Sequence, residues 1–390
     1  MRKFWLAAAG VLLLMCLSVG VASAQSDEPE TVPFCGDLTE RDCAALEASA
    51  DAMAGLTSGS SVNEVEVYFA GGAPSERRLA LRVTVASSFV TDEATLARMA
   101  ELRALTPEEF QADAQAITDT VLLPLSIDRS QAISVSLSPD LSAMLAASLN
   151  RDLSSGLTFN ARIINNVLYL RLADYAAFGL NPERVPEWIG VEMLAFVPNA
   201  IADAAAGADF DVAEAQASLD APGAGMASSV VYRIPPEQVA WYADFMALNL
   251  LGGTVADGQP ANRYLLAWDI PRYLGGPLFA QQTASGEEEG FPSSRSRVMG
   301  SAANVLLDGL SATTVQTVGA GAPYLYGVET RAEWAVGLPG GGLLAERPTL
   351  GVTATTTNRD LNAVAAIPVP EEALTPPLSV IMQLIQAMRR

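Results

Sequence analysis

The chain has 390 residues, 50% of them hydrophobic and 17% charged, with 44 acidic against 23 basic side chains, no histidine and a formal net charge of −21. That length suffices for a substantial core, and the acidity makes nucleic acid and anionic membrane surfaces poor partners, because phosphates reward Lys and Arg. With no His, and with Lys3 as the only Lys, the chain cannot carry Ser-His-Asp or Cys-His catalysis, His-ligated zinc or a Walker-A lysine. Carboxylate, Tyr, Ser or Arg chemistry is what remains for an enzyme, and no cofactor or metal is expected.

The first residues read as a signal peptide over 1–24: Arg2 and Lys3, an apolar run through Val21, then Ala22-Ser23-Ala24 before Gln25. Met15 is too bulky for a lipobox ahead of Cys16, so the chain is expected to be exported without lipid attachment there, the segment being cleaved or kept as an anchor. Cleavage removes Arg2 and Lys3, which takes the 23 basic residues to 21 and the net charge from −21 to −23. The remaining cysteines, Cys35 and Cys43, are expected to form one local disulfide within an N-terminal segment over 25–44, as befits an exported protein.

Next, "AALEASADAMAGL" predicts a helix with Leu46, Ala50, Met53 and Leu56 near one face. "VNEVEVYFA" and "RLALRVTVA" alternate with period two, so Val65, Val67 and Phe69 share one face of a strand and Leu79, Leu81, Val83 and Val85 one face of its hairpin partner. Thr106-Pro107-Glu108-Glu109 carries a capping box with Pro at the first helical position, and a helix should start there. "AISVSLS", "GLTFNARII" and "NVLYLRLA" return to strand, the last two joined by a turn at Asn165-Asn166 that sets Leu157, Phe159, Ala161 and Ile163 on one face.

A helical middle is expected over about 190–251, ending in "PPEQVAWYADFMALNLL", where Val239, Tyr242, Met246 and Leu250 recur at helical spacing. "ADGQPANRYLLAWDI" is a turn and a strand, Glu287 to Glu289 a solvated loop, and Trp334 alternates against Arg331 and Glu333 in a late strand. "AIPVPEEA" is expected to close the sheet, and an apolar helix over 371–390 to follow, with Leu378 to Met388 docked on the sheet or lying on a membrane. The order of pieces predicts an α+β fold: one large, mostly antiparallel sheet sided by helices.

The Val167 to Leu172 strand, Trp188-Ile189, the turn and strand Asp257 to Tyr264 and the late "I-P-V-P" resemble the LolA-like family of bacterial envelope proteins, in particular its LppX and LprG type, over residues 45 to 370. The resemblance implies a half-barrel, a curved sheet wrapped around helices, with an apolar cavity for acyl chains between them. The candidate lining is the apolar strand face, Val67, Phe69, Leu81, Val83, Phe159, Leu170 and Trp268, with Tyr169 as wall and Trp188 as rim. Plain core is the competing reading of each. Three functions follow in order: non-catalytic carriage of a lipid or other hydrophobic molecule in the cell envelope; a surface protein of the same fold with a filled core; and a carboxylate hydrolase, for which Asp269 after Trp268 is slender support.

Overall fold

The computed structural model describes residues 31–71, 78–149, 156–172, 174, 186–195, 219, 222–223, 226, 232–276, 310–335 and 348–375. The expected signal peptide, most of the expected helical middle and Leu378 to Met388 lie outside the described residues.

Strand β1 (Val32–Pro33) leads into helix α1 (Glu40–Ala54), where the Thr39 hydroxyl caps the first turn by accepting from the Asp42 N–H. Leu46, Met53 and Leu56 are buried, as the spacing predicts. The Cys35–Cys43 disulfide, with its Cα atoms 5.5 Å apart, ties the entering segment to the first turn of this helix. A C35S/C43S variant should lose about 2–3 kcal/mol, because the unfolded chain regains the loop entropy the bridge removes. The urea midpoint should fall accordingly, and reducing agent should lower the parent protein to the same value while leaving the variant unmoved.

The body is an open antiparallel sheet of 11 strands. Its first half comprises β2 (Ser58–Ala70), β3 (Arg78–Val90), β4 (Asp128–Leu137), β5 (Leu157–Ile164), β6 (Val167–Arg171) and β7 (Trp188–Glu192). After β8 (Arg233–Ile234), which pairs with β1 in a separate ribbon, come β9 (Met246–Ala256), β10 (Gln259–Trp268), β11 (Leu310–Gly319), β12 (Leu325–Ala335) and β13 (Thr349–Arg359). The order is β7-β6-β5-β4-β3-β2-β13-β12-β11-β10-β9, so the late strand β13 zips onto β2 and joins the two meanders, and β7 and β9 form separate edges. Two hairpins turn on residues in the left-handed region: Asn165 and Asn166 at φ 50° and 63°, and Asp257 and Gly258 at 49° and 74°. That is the conformation a two-residue turn needs to match strand twist.

Helices α2 (Glu93–Arg103), α3 (Pro107–Ala112) and α4 (Ala114–Ser126) fill the β3–β4 connection, and α5 (Pro139–Leu149) the β4–β5 connection. The capping box at Thr106 and Glu109 forms as expected, each residue bonding the other's backbone N–H. Buried residues of α1 to α4, among them Leu46, Met99, Leu102 and Phe110, make one core with Phe89, Leu248, Tyr264, Leu266, Val318 and Val328 from the inner face of the sheet. The architecture is the α+β half-barrel expected from the sequence.

Two expectations give way. The helix read through Leu250 stops early: α6 (Val239–Ala243) is short, and Met246 already starts β9, whose pairing with β10 runs from Met246 to Ala256. Backbone pairing and burial of Met246 and Leu248 override the helix-forming side chains there. The "AIPVPEEA" segment does not close the sheet as a strand. Pro368 and Pro370 lack the N–H a ladder requires, and the segment instead packs Ile367 against the outer face of β5–β7, touching the sheet as a strand only at the isolated Leu374–Ile189 bridge. A short helix, α7 (Ile270–Gly275), is capped by the Asp269 carboxylate accepting from the Arg272 N–H, which occupies that carboxylate structurally.

Candidate functional site

Residues paired directly across an antiparallel ladder share a face, so register sorts the side chains of β2–β6 into inward and outward sets. The inward set runs in rows across the strands. The row Gly59, Phe89, Arg129, Ile163 and Leu168 is followed by Ser61, Ser87, Gln131, Ala161 and Leu170, then by Asn63, Val85, Ile133 and Phe159. Beyond these lie Val65, Val83, Val135 and Leu157, then Val67, Leu81 and Leu137.

Residues of the first two rows and Asn63 of the third, with Ser88, Ser130, Arg162, Pro222 and Met226, line a cleft of about 390 Å³, a size usual for small-molecule sites. Its walls are Phe89, Ile163, Leu168 and Met226 on the apolar side and Ser61, Asn63, Ser87, Ser130, Gln131 and Arg129 on the polar side. Met226 hangs over Gly59, where a Cβ would come within 3.3 Å of its side chain and of the Phe89 ring, so the glycine makes room for this wall. Asn358 of β13 holds the wall in place, donating from Nδ2 to the Met226 carbonyl at 3.1 Å and to the Leu325 carbonyl at 2.8 Å. Asn63 is fixed too: its Oδ1 accepts from the Thr356 hydroxyl at 2.6 Å and its Nδ2 donates to Ser61 Oγ at 3.1 Å.

From the cleft the inward face becomes wholly apolar. Val65, Val67, Phe69, Leu79, Leu81, Val83, Val85, Ile133, Val135, Leu157 and Phe159 are each half-buried. At the other end of the sheet the equivalent inward residues Leu248, Tyr264, Leu266, Val318 and Val328 are fully buried under α1 and its neighbours. The sheet thus has a filled half and a half whose apolar lining is only partly covered. Along β3 the partly covered apolar tract extends from Val85 to Leu79, six residue steps or about 20 Å of strand.

The structure brings Val67, Phe69, Leu81, Val83, Phe159 and Leu170 onto this one face. Trp268 shares the face but lies in the filled half, in an aromatic cluster with Tyr232 at 5.1 Å and Phe245 at 6.1 Å. Burial in that cluster pushes the Tyr232 hydroxyl pKa up to about 12. Trp188 is not brought together with the others: register turns it outward, where it packs with Tyr169, Ile164 and Ile367 in a second core beneath the C-terminal segment. There the Arg162 guanidinium sits 5.1 Å over its ring and donates to the Pro368 carbonyl at 2.6 Å.

The residue that sequence reasoning missed is Arg129. It stands in the row with Phe89 and Ile163, its Nε is enclosed without a hydrogen-bond partner, and among the described residues its guanidinium makes no ion pair or hydrogen bond. Burial lowers its pKa from the usual arginine value, though an arginine stays charged regardless. The only advance signal was parity, counted from Ile133 and Val135 on the same strand. Among the described residues no group of three or more acidic, Cys or His side chains is placed to hold a metal, and no helix is long and apolar enough to cross a membrane.

No family model and no curated protein matches the chain. Among solved structures it is similar to LprF from Mycobacterium bovis, at 10% identity over 84% of this chain and 95% of that one, with a TM-score of 0.28. It is also similar to the lipoprotein LppX from Mycobacterium tuberculosis (11%, 83% and 97%, TM-score 0.22) and to a LolA-superfamily protein from Nitrosomonas europaea (8%, 83% and 94%, TM-score 0.15). At such TM-scores the likeness transfers no function.

Proposed function

We propose that this is an exported, non-catalytic protein that binds and carries a lipid or another hydrophobic molecule along the inner face of β2–β6. The observation that supports this reading most is the unequal filling of the sheet. Val65, Val67, Leu81, Val83, Val135 and Leu157 form a contiguous apolar tract that is half-buried, while Met246, Leu248, Tyr264, Leu266, Val318 and Val328 on the other half of the same face are buried. An apolar surface left partly uncovered costs about 25 cal/mol for each Å² kept from burial, and a bound chain would recover it. In register the tract adjoins the cleft across the row of Asn63, Val85, Ile133 and Phe159, so a ligand would meet an apolar face and a polar end. The local disulfide fits an oxidising compartment outside the cytoplasm. The described cleft lining offers hydroxyl, amide and guanidinium groups without a carboxylate or thiol among them, which suits binding better than acid–base or nucleophilic chemistry.

The test is native mass spectrometry of the mature protein purified from its own envelope without detergent, followed by organic extraction. A copurifying hydrophobic molecule at close to one per protein is the expected result. A bare mass, together with no binding of fluorescent acyl probes by the extracted protein, would leave the sheet as the scaffold of a surface protein instead.

A further inference from the structure

Among the inward positions of β2–β6, Gly59 to Phe69, Leu79 to Phe89, Arg129 to Leu137, Leu157 to Ile163, and Leu168 with Leu170, Arg129 is the single charged residue. In a chain of net charge −21 that lone inward charge is a cation. The nearby carboxylates are engaged on the other side of the sheet: Asp128 accepts from the Asn165 N–H at 3.0 Å, and Asp174 from the Asn160 N–H at 2.7 Å. Arg162 and Arg171 likewise point outward, to Pro368 and to Glu187. Arg129 is partly exposed, its Nε is enclosed without a hydrogen-bond partner, and no ion pair of its guanidinium is seen among the described residues. On the same face of the cleft stand Ser61, Ser87 and Gln131, side chains that can donate hydrogen bonds to an anion.

Resting on the proposed hydrophobic-ligand reading, we infer that the ligand is an anionic amphiphile, whose carboxylate or phosphate head group is held by Arg129 and the cleft hydroxyls while its tail lies along the Val85–Val83–Leu81 face. The polarity of the site orders the ligand: head at the Phe89 end, tail toward Leu81. Fork-shaped pairing with a guanidinium is the geometry in which arginine exceeds lysine.

The experiment titrates the delipidated full-length mature protein at pH 8 with an intrinsically fluorescent long-chain polyene fatty acid and, separately, with its uncharged methyl ester. The acid is expected to bind at least about tenfold more tightly than the ester, the size of one charge-assisted hydrogen-bond pair. R129M should bring the acid to the affinity of the ester and leave the ester unchanged, and R129K should retain part of the difference. R129M should melt no lower than the parent, because methionine keeps the stem's packing and removes an unpaired charge. Equal affinity of acid and ester for the parent protein, or an equal weakening of both by R129M, would overturn the head-group assignment and leave hydrophobic binding standing. Binding of neither probe would sink the hydrophobic-ligand reading and this assignment with it. Displacement of the acid by acetate or inorganic phosphate at equal concentration would show a site for free anions and would also overturn the amphiphile.

Discussion

Val83→Asp should weaken binding of a long-chain acyl probe by roughly 30-fold or more while the protein stays folded. Val83 lies between Val65 and Val135 in the middle of the half-covered tract, and a carboxylate there must be desolvated against any chain that passes over it. Losing contact with about three methylenes removes about 2.4 kcal/mol of transfer free energy, which alone is about 60-fold. Stability should suffer far less, about 1–2 kcal/mol, because Val83 is only half-buried and its new charge retains access to water in the empty protein. Val83→Trp tests the same point without charge: it should occupy the groove and exclude the probe while adding apolar contact. Ala86→Asp is the control, since Ala86 pairs with Val62 and Ala132 on the outward face of the same strand. Isothermal titration of the three variants beside urea melts decides the matter. Unchanged affinity in V83D and V83W would mean that the tract is not where the ligand lies.

Much of this was legible in the sequence, for an identifiable reason. The β2–β3 hairpin alternates apolar residues with Glu64, Glu66 and Arg82 so regularly that the shared faces of Val65, Val67 and Phe69 and of Leu79, Leu81, Val83 and Val85 follow from period two alone, while the pairing of Val67 with Leu81 is the fold's. The Asn-Asn and Asp-Gly turns announced themselves by residues that tolerate positive φ. The failures occurred where two periods fit the same letters. Met246 to Leu250 carries no β-branched residue and continues a helical spacing, and only the partner strand β10 makes it a strand. Trp188 and Ile189 are neighbours in sequence, yet they fall on opposite faces, and which one faces in is fixed by the register with Leu170 and Arg171. A sequence shows alternation without its sign. The same holds for Arg129: in "IDRSQAISV" parity places the arginine on the face of Ile133 and Val135, but only the pairing with Phe89 and Ile163 shows that this face turns inward. The acidity was plain from composition, whereas the inward cation of β2–β6 required the fold.

Asn358→Ala should cost about 2–4 kcal/mol of stability and, beyond that, alter the cleft itself. Asn358 is 1% exposed and its amide bridges two backbone carbonyls that belong to different parts of the chain, Met226 beside the cleft and Leu325 at the start of β12. Truncation leaves both carbonyls without that donor in a buried setting, at about 1–3 kcal/mol for each group that finds no new partner, and adds a small void. Replacement by Leu would refill the volume without restoring a donor, so N358L should recover only the void's share. Gln, which keeps the amide on a longer stem, should not fit in its place. The functional consequence follows from what Met226 does: its side chain closes the space over Gly59 and Phe89, and the bond from Asn358 is what anchors its backbone to the sheet. Loosening it widens the polar end of the cleft while the tail-binding tract around Val83 is untouched. Affinity for an uncharged acyl probe should therefore hold in N358A at temperatures below its lowered melt, and discrimination between a fatty acid and its methyl ester should shrink, because the walls that place a head group against Arg129 no longer fix the geometry. A variant that lost stability with discrimination intact would show that Met226 roofs a space the head group does not use.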